Sequence, residues 1–455
     1  MARSRALSGP PGHDSGGSAA RFKARAGLLP VIGLIYASAC GGPYGTENYV
    51  AETGPGLFLL LLFVAPWLWG VPTAFACAEL SAARPVEGGY YVWTRDILGE
   101  FWGFQAGTWS LISSFLDNAL YPVLFAQSLS YWVPGMSSLQ RWLAAVAFIA
   151  LLTFLNYLGI RIAGGVAVAL TATLIAPLVW IVVAAIPRVH YNPFVPFTVG
   201  GTFTWAGFGS ALALAIWFYS GYTEVSTAGE EIENPRRNIP RALLIVTPLV
   251  VLSYAAPTIA GLASVGGWQT WESGQFALIG AALGGPLLGG WAFLGSVCSF
   301  TVIFTAYVLW WSRLGWALAA HHRLPYFSRL HPRYGTPHRV LVLYAIGYSI
   351  LAAVKFEDLL VFDVWVFGAY DLLLLIAVLR ARYLFPAPAK GFRIPGGKVG
   401  VWINVIVPAL TWIVVMCTTA TRHVLAGATV ILLVGPVLYL VLRRLRAIQP
   451  PAAAS

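Results

Sequence analysis

The stretch Tyr36-Ala37-Ser38-Ala39-Cys40-Gly41-Gly42-Pro43-Tyr44-Gly45-Thr46-Glu47 interrupts an apolar run with three glycines, a proline and then a carboxylate. A helix in lipid has to satisfy its own backbone, because hydrocarbon offers no hydrogen bonds. Glycine favours unwinding, and proline removes a donor. Non-helical backbone at membrane depth is stable only where protein buries it or where it lines a cavity. The segment therefore reads as a membrane helix broken at Gly41, Gly42, Pro43 and Gly45, with the gap lining a binding site.

Composition supports a membrane setting. The 455 residues are 58% hydrophobic and 10% charged, whereas a soluble chain carries about 25% charged residues. Apolar runs begin near Gly27, Gly56, Phe101, Gln140, Ala163, Ala206, Arg241, Pro286, His338, Asp358, Val399 and Val424. They predict an all-α membrane protein of twelve transmembrane helices. Residues 1–25, rich in Gly, Ser, Ala and Arg, read as a disordered cytoplasmic tail. Residues 26–446 read as one membrane domain and 447–455 as a short Pro/Ala tail.

The net charge of +11 raises the question of nucleic acid, and the positions of the charges answer it. With a cytoplasmic N-terminus, Arg141, Arg188, Lys355 and Arg422 fall on outer segments and the other 24 of the 28 Lys+Arg fall inside. That is the positive-inside pattern of a multi-pass protein with both termini cytoplasmic, and no nucleic-acid partner is expected. The four cysteines, Cys40, Cys77, Cys298 and Cys417, lie in apolar segments and read as small buried hydrophobes. They form no CxxC, and no HExxH or nucleophile elbow is present. Neither a metal, a cofactor nor an enzyme chemistry is indicated.

A second interruption lies in Ser220-Gly221-Tyr222-Thr223-Glu224. The two breaks are in the first and sixth spans, the spacing of two five-helix repeats of opposite orientation with the site between them. An unwound helix frees N–H groups that attract a carboxylate and carbonyls that attract an ammonium or a cation. The substrate class that fits is a small amine-bearing molecule. Four acids fall within spans or at their breaks, where a carboxylate is costly: Glu47, Asp117, Glu224 and Asp371. All four are candidates for proton coupling. Asp117 has a structural alternative, bonding to backbone freed by Pro122. Glu230, Glu231 and Glu233 near Arg236 and Arg237 read equally as a cytoplasmic gate or as a solvated turn. Tyr36, Trp217, Tyr222, Tyr307 and Trp365 lie near the same level, where an aromatic face can meet an amine.

Several motifs together resemble the amino acid–polyamine–organocation superfamily, in the branch that holds the plant polyamine uptake transporters. They are Gly41-Gly42-Pro43-Tyr44-Gly45, Glu87-Gly88-Gly89-Tyr90-Tyr91-Val92-Trp93, Phe101-Trp102-Gly103-Phe104-Gln105, Asp117-Asn118-Ala119-Leu120-Tyr121-Pro122, Leu155-Asn156-Tyr157, Glu230-Glu231-Ile232-Glu233-Asn234-Pro235-Arg236-Arg237-Asn238-Ile239-Pro240 and Phe392-Arg393-Ile394-Pro395. The resemblance implies a LeuT-type fold with a 5+5 inverted repeat and broken helices 1 and 6. It also implies a monomeric permease of the cytoplasmic membrane working by alternating access, with protons as the usual coupling ion; nothing in the residues rules out sodium. Its substrate site carries over onto Ser38, Cys40, Gly41, Gly42, Asp117, Ser220, Gly221, Tyr222, Thr223, Glu224, Tyr307 and Trp365. Plant members of the branch carry acids where this chain has Ser38, Thr223, Tyr307 and Trp311. A polycation needs several carboxylates along its length. The expectation is therefore proton-coupled symport of an amino acid or other small amine. A dedicated polyamine/proton symporter and an amino acid exchanger are the alternatives.

Overall fold

Prolines and glycines decide where the helices of this chain stop, and side-chain hydroxyls repair what they break. The computed structural model describes residues 27–45, 47–86, 88–227, 232–321, 324–384 and 391–444. The two tails, Glu87, Glu230 and Glu231 lie outside the described residues. Every extended element among the described residues is helical. The first is α1 (Leu28–Ala39), which ends at Cys40, and the chain becomes helical again only at α2 (Asn48–Thr53). Then α3 (Pro55–Ala65) runs through a π-helical turn, Pro66–Gly70, into α4 (Val71–Ala83). Pro66 has no N–H to give the carbonyl of Leu62 one turn back. The Tyr219 hydroxyl donates to that carbonyl instead, at 2.7 Å.

The next elements are α5 (Gly89–Leu98), α6 (Glu100–Trp132), α7 (Ser138–Leu158) and α8 (Ile160–Ala185). The connection from α7 to α8 is Gly159 alone, at φ +115°. A full capping box opens α7: Ser137 Oγ accepts from the Gln140 N–H, and the Gln140 side chain accepts from the Ser137 N–H. The second broken helix is α9 (Trp205–Phe218), followed by irregular backbone and a short 3-10 turn, Glu224–Thr227. Then come α10 (Pro235–Ser264), α11 (Gln275–His321, kinked at Gly284 and Gly285), α12 (His338–Leu351), α13 (Phe356–Leu384), α14 (Gly397–Thr419) and α15 (Arg422–Arg444). All twelve expected starts fall near one of these helices. Pro286 lies inside α11, just after its kink, and not at the start of a helix.

Among the described residues, eight helical segments are long and apolar enough to cross a bilayer. The broken segments α1 and α9 are too short by themselves, as is α12. The 33-residue α6 is long enough but is not one of the eight. It carries Gln105, Ser110, Ser113, Ser114, Asp117 and Asn118, all buried, so polar residues dilute its hydropathy. The lipid-type surface is on the outer helices. Leu151 and Phe154 of α7, Leu252 of α10, Ile346 and Ile350 of α12, Leu410 of α14 and Val437 of α15 are all exposed. An apolar surface this extensive suits hydrocarbon, not water. Cys417 also faces outward, contrary to the sequence expectation of burial. It stands near the end of α14, a helix whose buried residues Asn404, Pro408, Thr411 and Val415 follow one stripe that leaves Cys417 outside it.

The inner helices pack in reciprocal pairs. α1 lies against α10, and α9 lies against α3. α6 runs along α13, and α8 runs along α11. Near the end that carries most basic residues, α4, α13 and the segment before α14 are stapled by one ion pair. Arg382 holds both carboxylate oxygens of Glu79, through Nε on Oε1 and through Nη2 on Oε2 at 2.6 Å. Oε2 also accepts the Ile394 N–H at 2.7 Å, and Arg382 Nη2 donates to the Ile394 carbonyl at 3.2 Å. Bidentate geometry of this kind is the strong form of an ion pair. Arg382→Met strands a buried carboxylate, at a cost of about 3–5 kcal/mol. The expected result is a clear fall in the Tm of the detergent-solubilised protein. The double variant Glu79→Gln/Arg382→Met should regain most of it.

Candidate functional site

The two breaks touch one another. Gly221 has φ +82°, a conformation that side chains resist. A Cβ there would lie 2.6 Å from the Tyr307 hydroxyl and 2.7 Å from the Ser38 carbonyl oxygen. Only glycine lets the second break approach the first so closely. The Tyr307 hydroxyl, on α11, donates to the Ser38 carbonyl at 2.7 Å. Two more hydroxyls serve the freed backbone of the first break: Ser299 Oγ donates to Gly41 O at 2.5 Å, and Ser273 Oγ to Gly45 O at 2.9 Å. Gly42 and Gly45 also have positive φ, and the Gly42 N–H donates to Cys40 Sγ at 3.4 Å. The C-terminal end of α9 is capped by Ser220, whose hydroxyl donates to the Trp217 carbonyl at 2.7 Å.

Between the breaks lies a cavity of about 30 Å³, room for about one water molecule. Ser38, Cys40, Gly41, Gly42, Ser220 and Tyr307 line it, as the sequence suggests. So do Tyr121, Trp217, Tyr254 and Ser299. One wall is aromatic. Tyr121 stacks on Trp217 with centroids 5.8 Å apart and lies 5.9 Å from Tyr307, which stacks on Trp311 at 4.3 Å. The α11 side of the site thus holds a packed aromatic pair.

Asp117 sits directly behind this wall. Its carboxylate accepts from the Trp217 indole N–H at 2.5 Å and from the Tyr121 hydroxyl at 3.5 Å. Its bonds go to side chains of the site and not to backbone freed by Pro122. Glu224 opens the 3-10 turn after the second break; it is 2% exposed and its Oε2 has no hydrogen-bond partner. Asp371, on α13, is 4% exposed with Oδ1 likewise unpartnered. Cys77, Tyr90 and Tyr370 lie within charge range of both carboxyls, so these two acids share one neighbourhood. None of these three acids is in an ion pair with a described residue.

Other expected residues stand elsewhere. Trp365 is turned away from the site. Its indole donates to Thr419 Oγ1 at 3.1 Å, and the ring packs with Val424 and Ala428 of α15. It shares α13 with Asp371, but six positions of helix turn it to another face. Glu47 caps the far end of the first break: its Oε1 accepts the Phe276 N–H at 3.4 Å, at the start of α11. Tyr222 is fully buried and packs against Gly70 of the π turn. Thr223 is buried beside it and does not reach the cavity. Tyr36 donates to or accepts from Ser253 at 2.9 Å.

Sequence reading missed Asp363. It lies on α13, is 1% exposed, and accepts the Ser113 hydroxyl at 2.6 Å. Its signal is an acid inside the apolar run Val361–Leu375. Tyr121 was legible as the residue one turn from Asp117 on the same helix face. Ser299 and Tyr254 carried no local signal, since only tertiary packing brings them to the first break.

The chain matches known proteins along nearly its whole length. The family model described as amino acid permease fits residues 27–442. A probable polyamine transporter of Arabidopsis thaliana is 32% identical over 410 residues, covering 90% of this chain and 82% of the relative. A polyamine transporter of Oryza sativa subsp. japonica is 31% identical over 418 residues, covering 91% and 78%. An uncharacterized transporter of Mycobacterium bovis is 26% identical over 338 residues, covering 73% and 74%. Both helix breaks, the aromatic wall and all the inward-facing acids fall inside the matched stretch, and the chain belongs to the amino acid permease family, as a multi-pass membrane transporter and not an enzyme.

Proposed function

We propose that this protein is a proton-coupled secondary transporter that takes a small organic amine across the cytoplasmic membrane by alternating access. The observation that carries this reading is a set of buried carboxyls beside two touching helix breaks, with no cation paired to them among the described residues. Buried carboxylates need a positive partner or a proton. A transported ammonium and a co-transported proton supply both. Ser38, Cys40, Gly41, Gly42, Ser220 and Gly221 form the backbone cradle. Trp217, Tyr121 and Tyr307 offer aromatic faces to the amine. Asp117 is its first counter-charge, and Glu224 a second. A cavity of about 30 Å³ is far smaller than any such substrate, so binding requires the two breaks to separate, as alternating access demands.

The reading includes twelve spans, both termini cytoplasmic, and a pair of five-helix inverted repeats. The reciprocal packing supports the repeat. Pairing the first five spans with the next five maps α1 on α10 to α9 on α3, and α6 on α13 to α11 on α8. The distribution of Lys and Arg supports the orientation.

For the substrate we favour a di- or polyamine. Two buried counter-charges, Asp117 and Glu224, suit two ammonium groups better than one. Relatives named as polyamine transporters favour the same class. An amino acid is the second reading, favoured by the Tyr307–Trp311 stack that fills the α11 side of the site and leaves it without a carboxylate.

Purified protein in proteoliposomes should accumulate radiolabelled putrescine or spermidine when the outside is acidified, and uptake should collapse with a protonophore. Accumulation of a neutral amino acid, with no effect of polyamines, would move the substrate to the second reading. Asp117→Asn should lower gradient-driven uptake at least about tenfold, the loss of one charge-assisted contact. Gly221→Ala forces a side chain into the Ser38–Tyr307 contact at positive φ, at about 1–2 kcal/mol for the backbone alone. It should reach the membrane in normal amount and transport almost nothing, as read by surface labelling beside uptake.

A further inference from the structure

The α13 helix carries two buried acids, and each lies within charge range of an acid set behind the helix breaks. Asp363 accepts the hydroxyl of Ser113 at 2.6 Å. Ser113, Asp117 and Tyr121 are four residues apart on α6 and so share one face, one turn above another. The Asp363 carboxyl therefore lies about one helical turn along that face from Asp117, and their charges act on each other. Eight residues further along α13, about 12 Å of rise, Asp371 lies within charge range of Glu224. That inner pair shows what it lacks: Glu224 Oε2 and Asp371 Oδ1 are both buried with no hydrogen-bond partner. The indole N–H groups of Trp69 and Trp311 are buried and face these acids as weak donors. Each lies beside one of these acids, Trp69 by Asp371 and Trp311 by Glu224.

We propose that α13 carries the co-transported proton, held by Asp363 against Asp117 and by Asp371 against Glu224. Two carboxyls sharing a buried site do not both ionise, so each pair retains one proton and presents one negative charge. The remaining charge, on Asp117 or Glu224, meets the ammonium of the substrate. The proton enters from outer water onto a carboxyl oxygen of the pair, crosses with the substrate, and leaves to inner water. No bond to carbon changes. The other titratable groups facing Asp363 are Tyr121 on α6, Tyr307 on α11, and Tyr370 and Asp371 on α13 itself. Those facing Asp371 are Cys77 on α4, Tyr90 on α5, and Tyr370 and Asp363 on α13. α9 faces the outer pair with the Trp217 indole, which does not titrate. The acids are left as the groups that exchange protons, because tyrosine and cysteine titrate higher even in water.

This inference rests on the proton coupling proposed above, and one experiment separates the two. Wild type, Asp363→Asn and Asp371→Asn are reconstituted with a trapped pH dye, and three quantities are read: substrate counterflow, proton entry per substrate, and the pH profile of uptake. With a one-unit inward pH gradient, each co-transported proton is worth about tenfold in accumulation ratio. Each Asn variant should keep counterflow, lose about tenfold in accumulation, bring in fewer protons per substrate and show a flattened pH profile. Asp363→Glu should restore coupling, and Ser113→Ala should shift the pH profile without abolishing counterflow. These two variants keep the test decisive where an Asn variant does not fold. If both Asn variants, or Ser113→Ala in their place, keep the wild-type proton ratio and pH profile, the role of α13 is overturned. If the wild type itself moves no protons with substrate, the proposed coupling fails first and takes this inference with it.

Discussion

The hydrogen bond from the Tyr307 hydroxyl to the Ser38 carbonyl holds the centre of this protein together. It exists because the first helix stops where Gly41, Gly42 and Pro43 make it stop, leaving a carbonyl that lipid cannot satisfy. The same logic recurs across the bundle. Ser299 serves Gly41, Ser273 serves Gly45, and Tyr219 serves the carbonyl that Pro66 abandons. Tyr307 and Ser299 reach in from α11, Ser273 from the turn just before it, and Tyr219 from the end of α9. Freed backbone is thus what draws α11, α9 and the π turn between α3 and α4 onto one centre. The absent Cβ of Gly221 is the other half of that constraint, because it lets the two breaks meet.

Around that centre the chemistry divides by position. The cavity lining is neutral: hydroxyls, a thiol, peptide groups and aromatic faces. The carboxyls stand one layer back, with Asp117 held behind Trp217 and Tyr121, and Asp363 behind Ser113. Carboxylates set behind donors are partly shielded from direct contact, so a cation approaching from the cavity meets π-faces first and charge second. Such an order suits a site that has to release its cargo as well as bind it. Away from the site, the Glu79–Arg382 pair is a different use of a buried acid. It has a permanent cation and a backbone donor, and it ties fixed elements together.

Several features were legible in the residues because they are local. Gly-Gly-Pro-x-Gly announces its own break, and Asp117 is conspicuous in an apolar run. The second break was legible from Gly221 together with its polar neighbours. Trp365 was misread, since proximity in a span says nothing about which face of the helix a residue takes, and α15 covers that face. Cys417 was misread for the same reason, as an apolar neighbourhood in sequence can be a lipid-facing one. Asp363 is legible by the same rule as Asp371, since both are acids inside one apolar run.

The sequence by itself determined that this chain is a helical membrane protein, where its helices break, and which acids are too costly to be idle. Those properties follow from hydropathy, from backbone chemistry at glycine and proline, and from the expense of a charge in hydrocarbon, all of which act within a few residues. Only the tertiary structure decided which carbonyl each hydroxyl repairs, that Gly221 lies on Ser38, and that Asp363 stands one turn from Asp117. Those contacts join residues a hundred or more positions apart, and helix packing, not local preference, sets them.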